Sequence, residues 1–226
     1  MKELVRDFVF GMEDGLVSNL GLVLGVYVGG GGKFAILLAG LASMFAGAFS
    51  MSAGSYLSAK SQREVYENEI EETKVFLEKN PRKCYDDMKR SLMQEGLSKK
   101  EIDSIFKKSA KYNHPEFVCN YMVQKKVGIS KDKLEVPLKN SVTMFLSFLV
   151  GSLFPIAPFI FFPGMAAATV ATVFTVLVLF VVGLAKTKYT KRNWFKSGME
   201  IVLVGVGAGV IGYIVGWLVG SLAQYI

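Results

Sequence analysis

Five apolar windows constrain this chain more than any other feature: residues 8–28, 34–57, 142–162, 166–185 and 201–223. Each is about 20 to 24 residues long, the length of a helix that crosses a bilayer with some tilt. Hydrophobic residues make up 51% of the chain and charged residues 20%, and the two classes are segregated, with most charge falling in one block between the second and third windows. The reading is an all-α membrane protein: five transmembrane helices with a cytoplasmic helical insert between the second and third spans. Its parts are 1–59 (two spans), 60–138 (the insert) and 139–226 (three spans).

Basic residues orient the spans. Lys2 and Arg6 precede the first, eighteen Lys and Arg lie between Lys60 and Lys139, and five lie between Lys186 and Lys196. Lys33 is alone on the other side. That asymmetry places the N-terminus and the insert in the cytoplasm, with the C-terminus outside or lumenal. It also accounts for the net charge of +7, which in a soluble domain would indicate nucleic acid; no nucleic-acid partner is expected. The two cysteines, Cys84 and Cys119, are too few for a disulfide framework or a zinc site, and His114 is the single histidine. No cleavable signal peptide is read at the N-terminus. The run Gly29–Gly32 makes a tight turn after the first span, and Pro155, Pro158 and Pro163 separate the third from the fourth.

Neither Gly nor Pro interrupts residues 55–80, so the second span is expected to continue as one helix about 20 residues past the membrane, until Asn80-Pro81 ends it. Further helices are expected over 82–95, 98–111 and 115–127. Ser98 and Glu101 have capping-box spacing, and Ile102, Ile105 and Phe106 form one apolar face.

The chemistry concentrates in the first span, where Glu13 and Asp14 sit inside an apolar run. A carboxylate at membrane depth costs roughly 2.5–3.5 kcal/mol on insertion scales and is functional by default. At about 100° per residue, Glu3, Asp7 and Asp14 fall within about 40° of one line, a stripe rising roughly 16 Å into the membrane. Such a stripe reads as a cation path. Met51, deep in the second span, is either packing or a thioether ligand; beside a carboxylate it would favour a first-row transition ion over Mg²⁺ or Ca²⁺. Gly21, Gly25 and Gly29 recur every fourth residue, as do Gly212, Gly216 and Gly220, while the second span carries Ser43, Gly47, Ser50 and Gly54. These stripes serve packing within one chain or a homodimer seam. Glutamates at 64, 67, 69, 71, 72 and 78 are solvated helix surface or cation ligands, and Glu200 is a helix cap or a proton site.

The segments Glu3-Leu-Val-Arg-Asp7, Asp14-Gly-Leu-Val-Ser18 and Gly47-Ala-Phe-Ser-Met-Ser-Ala-Gly-Ser-Tyr-Leu-Ser-Ala-Lys-Ser-Gln-Arg-Glu64 resemble the vacuolar iron transporter family. The five-span plan and the position of the insert are similar too, so the resemblance covers essentially the whole chain. It implies a homodimer that exports Fe²⁺, and often Mn²⁺, from the cytoplasm in exchange for protons. Asp14 and Met51 would then line the path at the dimer interface, with Glu3 and Asp7 at the cytoplasmic entrance. It implies a transporter in iron homeostasis and not an enzyme, with no cofactor beyond the transported ion.

The insert departs from the family pattern. Thr73, Phe76 and Lys126 stand where metal-loading relatives carry glutamates. Glu69, Glu72 and Met122 remain as candidates for a loose cytoplasmic metal site. At an effective dielectric of 20, a Lys⁺ about 6 Å from a divalent ion repels it by roughly 5 kcal/mol before screening, so the insert is expected to bind metal weakly. The rival reading is a non-transporting membrane scaffold whose basic insert binds acidic lipid or a protein partner.

Overall fold

The computed structural model describes residues 2–109, 117–118, 121–122, 125, 136–191 and 193–223. The regular elements are α1 (Lys2–Val28), α2 (Lys33–Lys79), α3 (Pro81–Gln94), α4 (Lys99–Ser109), α5 (Pro137–Ile156), the single turn α6 (Pro158–Phe161), α7 (Gly164–Thr190) and α8 (Trp194–Ala223). Five helical stretches are long and apolar enough to cross a membrane: Leu4–Val28, Lys33–Phe76, Pro137–Phe161, Gly164–Thr187 and Trp194–Leu222. The chain divides into two compact units, residues 1–58 with 137–226, and residues 59–136.

In the first unit α1 is the central post, packed against α5, α7 and α8. Leu16, Leu20 and Val23 are wholly buried there. The glycine stripes of the first and fifth spans meet each other: Gly21 lies against Ala208 and Gly212, Gly25 against Gly212 and Gly216, and Gly29 against Gly216 and Gly220. Those two stripes therefore serve packing within the chain. The backbones approach so closely that a side-chain carbon at Gly25 would stand 3.0 Å from the Gly212 carbonyl oxygen. Small-residue spacing is what permits that contact between membrane helices.

Polar side chains reinforce the bundle. Asn19, fully buried, donates from Nδ2 to Ser152 Oγ at 2.8 Å, joining α1 to α5. Ser52 and Ser141 hydroxyls meet at 2.7 Å between α2 and α5. Lys33 Nζ donates to the Ile160 carbonyl at 2.7 Å, tying the start of α2 to the end of the third span.

Three sequence expectations need correcting. Pro155 does not break the third span: α5 runs through it to Ile156, α6 carries the span on from Pro158 to Phe161, and the break from the fourth falls at Pro163 and Gly164, whose φ is +52°. Glu200 is not a helix cap, because α8 begins six residues earlier at Trp194. Asn193 caps it instead, its Oδ1 accepting from the Phe195 amide at 3.0 Å and the Lys196 amide at 3.3 Å, while Glu200 faces Lys186 at 3.9 Å. The first span also starts earlier than its apolar window, with α1 helical from Lys2.

The second unit is helical with its own apolar core of Met88, Leu92, Ile102, Phe106, Val118 and Met122. The expected helix over 115–127 lies largely outside the described residues. The capping box is formed: the Ser98 amide donates to Glu101 Oε2 at 2.8 Å and the Glu101 amide to Ser98 Oγ at 3.4 Å. Hydrogen bonds from Ser98 hold the Glu101 carboxyl below its ordinary value of 4.5, and the hydrogen bond from Lys125 does the same for Glu95. Both carboxylates therefore stabilise this unit fully above that ordinary value, and the contribution is lost as pH falls through their depressed folded values. Thermal melting of the full chain, followed by amide exchange at 81–109, should show this unit loosening below pH 4.5. The double variant Glu95→Gln/Glu101→Gln should flatten that dependence; an unchanged acid limb would refute the assignment.

Candidate functional site

The stripe of carboxylates read from the sequence has distinct surroundings at each level of α1. Asp7 is buried at 3% exposure. Its Oδ1 accepts from Arg6 Nε at 3.1 Å, while Oδ2 is buried with no hydrogen-bond partner among the described residues. Ser147 Oγ reaches the Asp7 carbonyl at 3.4 Å, so α5 holds the backbone at this level. An orphaned carboxylate oxygen out of contact with water costs more than a lost neutral hydrogen bond, which singles Asp7 out.

Asp7 borders a cavity of about 500 Å³ lined from three helices. Arg6, Asp7 and Phe10 come from α1, Ser50, Met51, Gly54, Ser55 and Ser58 from α2, and Met144 from α5. The structure thus brings together two of the predicted residues, Asp7 and Met51. Asp14 is not among the lining residues. It is half-buried two turns further along α1, with the Ser18 hydroxyl against its carbonyl and 3.2 Å from its Oδ1. Phe10, Asp14 and Ser18, four residues apart, share a face of α1 that the rest of the described chain leaves partly open, Phe10 and Ser18 being exposed. Glu3 lies in the first turn of α1.

On α2, Gly47 is occupied by the Phe148 ring, whereas nothing lies within 4 Å of Gly54. Ala46, Ser50 and Gly54, four residues apart, are exposed. The acidic run further along α2 is largely paired on its own helix: Glu64 with Lys60, Glu67 with Arg63 at 2.7 Å, and Glu71 with Lys74 at 3.3 Å. Glu69 and Glu72 are exposed, and Glu72 accepts from Asn68 at 3.1 Å. Met122 points into the apolar core of the second unit. Thr73 is buried and donates to the Glu69 carbonyl at 2.8 Å, and Phe76 packs against that same core. Among the described residues no three His, Cys, Asp or Glu side chains gather to hold a metal ion. Lys126 lies outside the described residues.

Sequence reasoning missed Met144. A lone methionine in an apolar window carries no signal, but its neighbours do. Asn140, Ser141, Ser147 and Ser152 are buried polar residues of α5, and their spacing marks the face turned to α1 and α2.

Five helices of membrane-crossing length, three of which line a cavity bordered by Asp7 and Met51, define a multi-pass membrane protein. The model of the VIT family matches residues 5–217, and the chain belongs to that family. Among its relatives is Vacuolar iron transporter 1 of Eucalyptus grandis, 28% identical over 212 residues, which cover 93% of this chain and 84% of that protein. Vacuolar iron transporter 1 of Arabidopsis thaliana is 27% identical over the same shares. The Vacuolar iron transporter of Toxoplasma gondii is 28% identical over 241 residues, 99% of this chain and 76% of that protein.

Proposed function

We propose that this protein is a homodimeric metal-ion transporter that exports Fe²⁺, with Mn²⁺ as a second cargo, from the cytoplasm in exchange for protons. The observation that carries the reading is the buried Asp7 carboxylate, with one oxygen unpartnered, beside the Met51 thioether among membrane-spanning helices. A carboxylate supplies charge for any divalent ion, and a thioether adds preference for first-row transition ions over Mg²⁺ or Ca²⁺.

In this reading Glu3 and Asp7 form the cytoplasmic entrance and Asp14 is the exchange point. The open face of α1 at Asp14 and the exposed small residues of α2 leave room for a second copy. Two Asp14 and two Met51, with waters, then complete a six-coordinate site. Metal requires Asp14 deprotonated, so binding of the ion and of a proton at that carboxylate are mutually exclusive, which couples the two fluxes. The basic residues place the N-terminus and the 60–138 domain in the cytoplasm. Glu69, Glu72 and Met122 contribute at most loose cation attraction.

Reconstituted into liposomes with an acidic lumen, the protein should accumulate Fe²⁺ and Mn²⁺ well above Mg²⁺, and a protonophore should suppress the uptake. Accumulation no greater than in protein-free liposomes would refute transport and favour the scaffold reading, in which the basic insert binds acidic lipid.

A further inference from the structure

Met144 has no role in the path described so far. Its side chain is 4% exposed, yet it borders the same cavity as Asp7 and Met51, and it belongs to none of the apolar clusters of the bundle. Its sulfur is seated at Gly11: a side-chain carbon there would stand 3.2 Å from Met144 Sδ. Gly11 follows Asp7 by one helical turn, and the space that a side chain would fill there is taken by the Ser147 hydroxyl, which stands nearest, and by the Met144 carbonyl and sulfur. Three helices therefore each contribute one residue with a donor atom to the lining of a single cavity: Asp7 from α1, Met51 from α2 and Met144 from α5.

The state of the carboxylate indicates what belongs there. Arg6 satisfies Oδ1 alone, and buried Oδ2 lacks a partner, an arrangement that a cation relieves. Two thioethers beside one carboxylate disfavour Mg²⁺ and Ca²⁺, which demand oxygen, and suit a borderline-soft divalent ion. We infer that Asp7, Met51 and Met144 form a holding site within one protomer for a divalent first-row transition ion, upstream of Asp14. This rests on the transport reading above. Arg6 is the opposing charge of the site: it competes with the ion for Asp7 and keeps occupancy brief.

Equilibrium binding of Fe²⁺ to the full chain in detergent tests this, in an Asp14→Asn background that removes the deeper site. One ion should bind per protomer, with sulfur in its coordination shell by X-ray absorption. Met144→Leu, close in volume, should weaken affinity by about tenfold, the lower range for loss of a metal-supporting group, and reduce the sulfur signal. Arg6→Gln should tighten binding by a similar factor. Absence of binding in the Asp14→Asn protein, or binding whose affinity and sulfur signal ignore Met144→Leu, overturns the site. Because binding is read without flux, a wild-type protein that fails to transport refutes the transport reading separately.

Discussion

On the transport reading proposed above, replacing Asp14 by Asn is expected to abolish Fe²⁺ transport while leaving the protein folded. The amide keeps the shape of the carboxylate and can keep the hydrogen bond from Ser18, which lies 3.2 Å from Oδ1. It can neither titrate nor supply charge. A full charge about 4 Å from a divalent ion is worth roughly 8 kcal/mol at an effective dielectric of 20, before screening. Losing even half of that removes about three orders of magnitude in affinity, so flux should fall to the level of protein-free liposomes. Size-exclusion profile and melting temperature are the controls. Wild-type flux in the Asn variant, with both controls unchanged, would sink the ion-path assignment.

The second large effect is on folding. Gly212→Val and Gly216→Val should each cost more stability than the 1–3 kcal/mol usual for overpacking. A side-chain carbon at Gly212 would stand 2.7 Å from the Gly21 Cα, and one at Gly216 the same distance from the Gly25 Cα. The obstacle is backbone, which has no rotamer by which to yield, so α8 must separate from α1 or the chain misfold. Gly207 lies on the same helix with nothing within 4 Å, and Gly207→Val should stay within about 0.5 kcal/mol of wild type. Thermal melting of the three variants in one detergent compares them. Equal melting temperatures would show that the seam tolerates bulk and is looser than described.

The five spans were legible because membrane depth leaves a length and an apolarity that few other elements share. What hydropathy finds, however, is the part of a helix that sits in lipid, and not the helix. That is why Glu200 looked like a cap: the apolar window opens at Ile201, but the helix had already started at Trp194 behind Asn193. Pro155 was misjudged for a related reason. A missing amide is tolerated where neighbours pack closely, and Pro155 is buried inside α5. The glycine stripes gave their spacing but not their partner, since small-residue repeats read alike whether the facing helix belongs to the same chain or to a second one. At the site, helical periodicity identified the face shared by Asp7 and Asp14. It did not show that Met51 opens onto the same cavity as Asp7, nor that Met144 joins them, because both depend on how three helices converge.

The backbone seam between α1 and α8 also sorts the donors by what is free to move. Two helices in direct main-chain contact have no compliant side chains between them and travel only as one body. Asp7 and Asp14 thus stand on a fixed post. Met51 is carried by α2, whose outer face the protomer leaves bare at Ala46, Ser50 and Gly54. Within the proposed path, charge is therefore carried by the helix that the seam fixes and softness by one outside it, so the two properties that would select an ion fall on different helices.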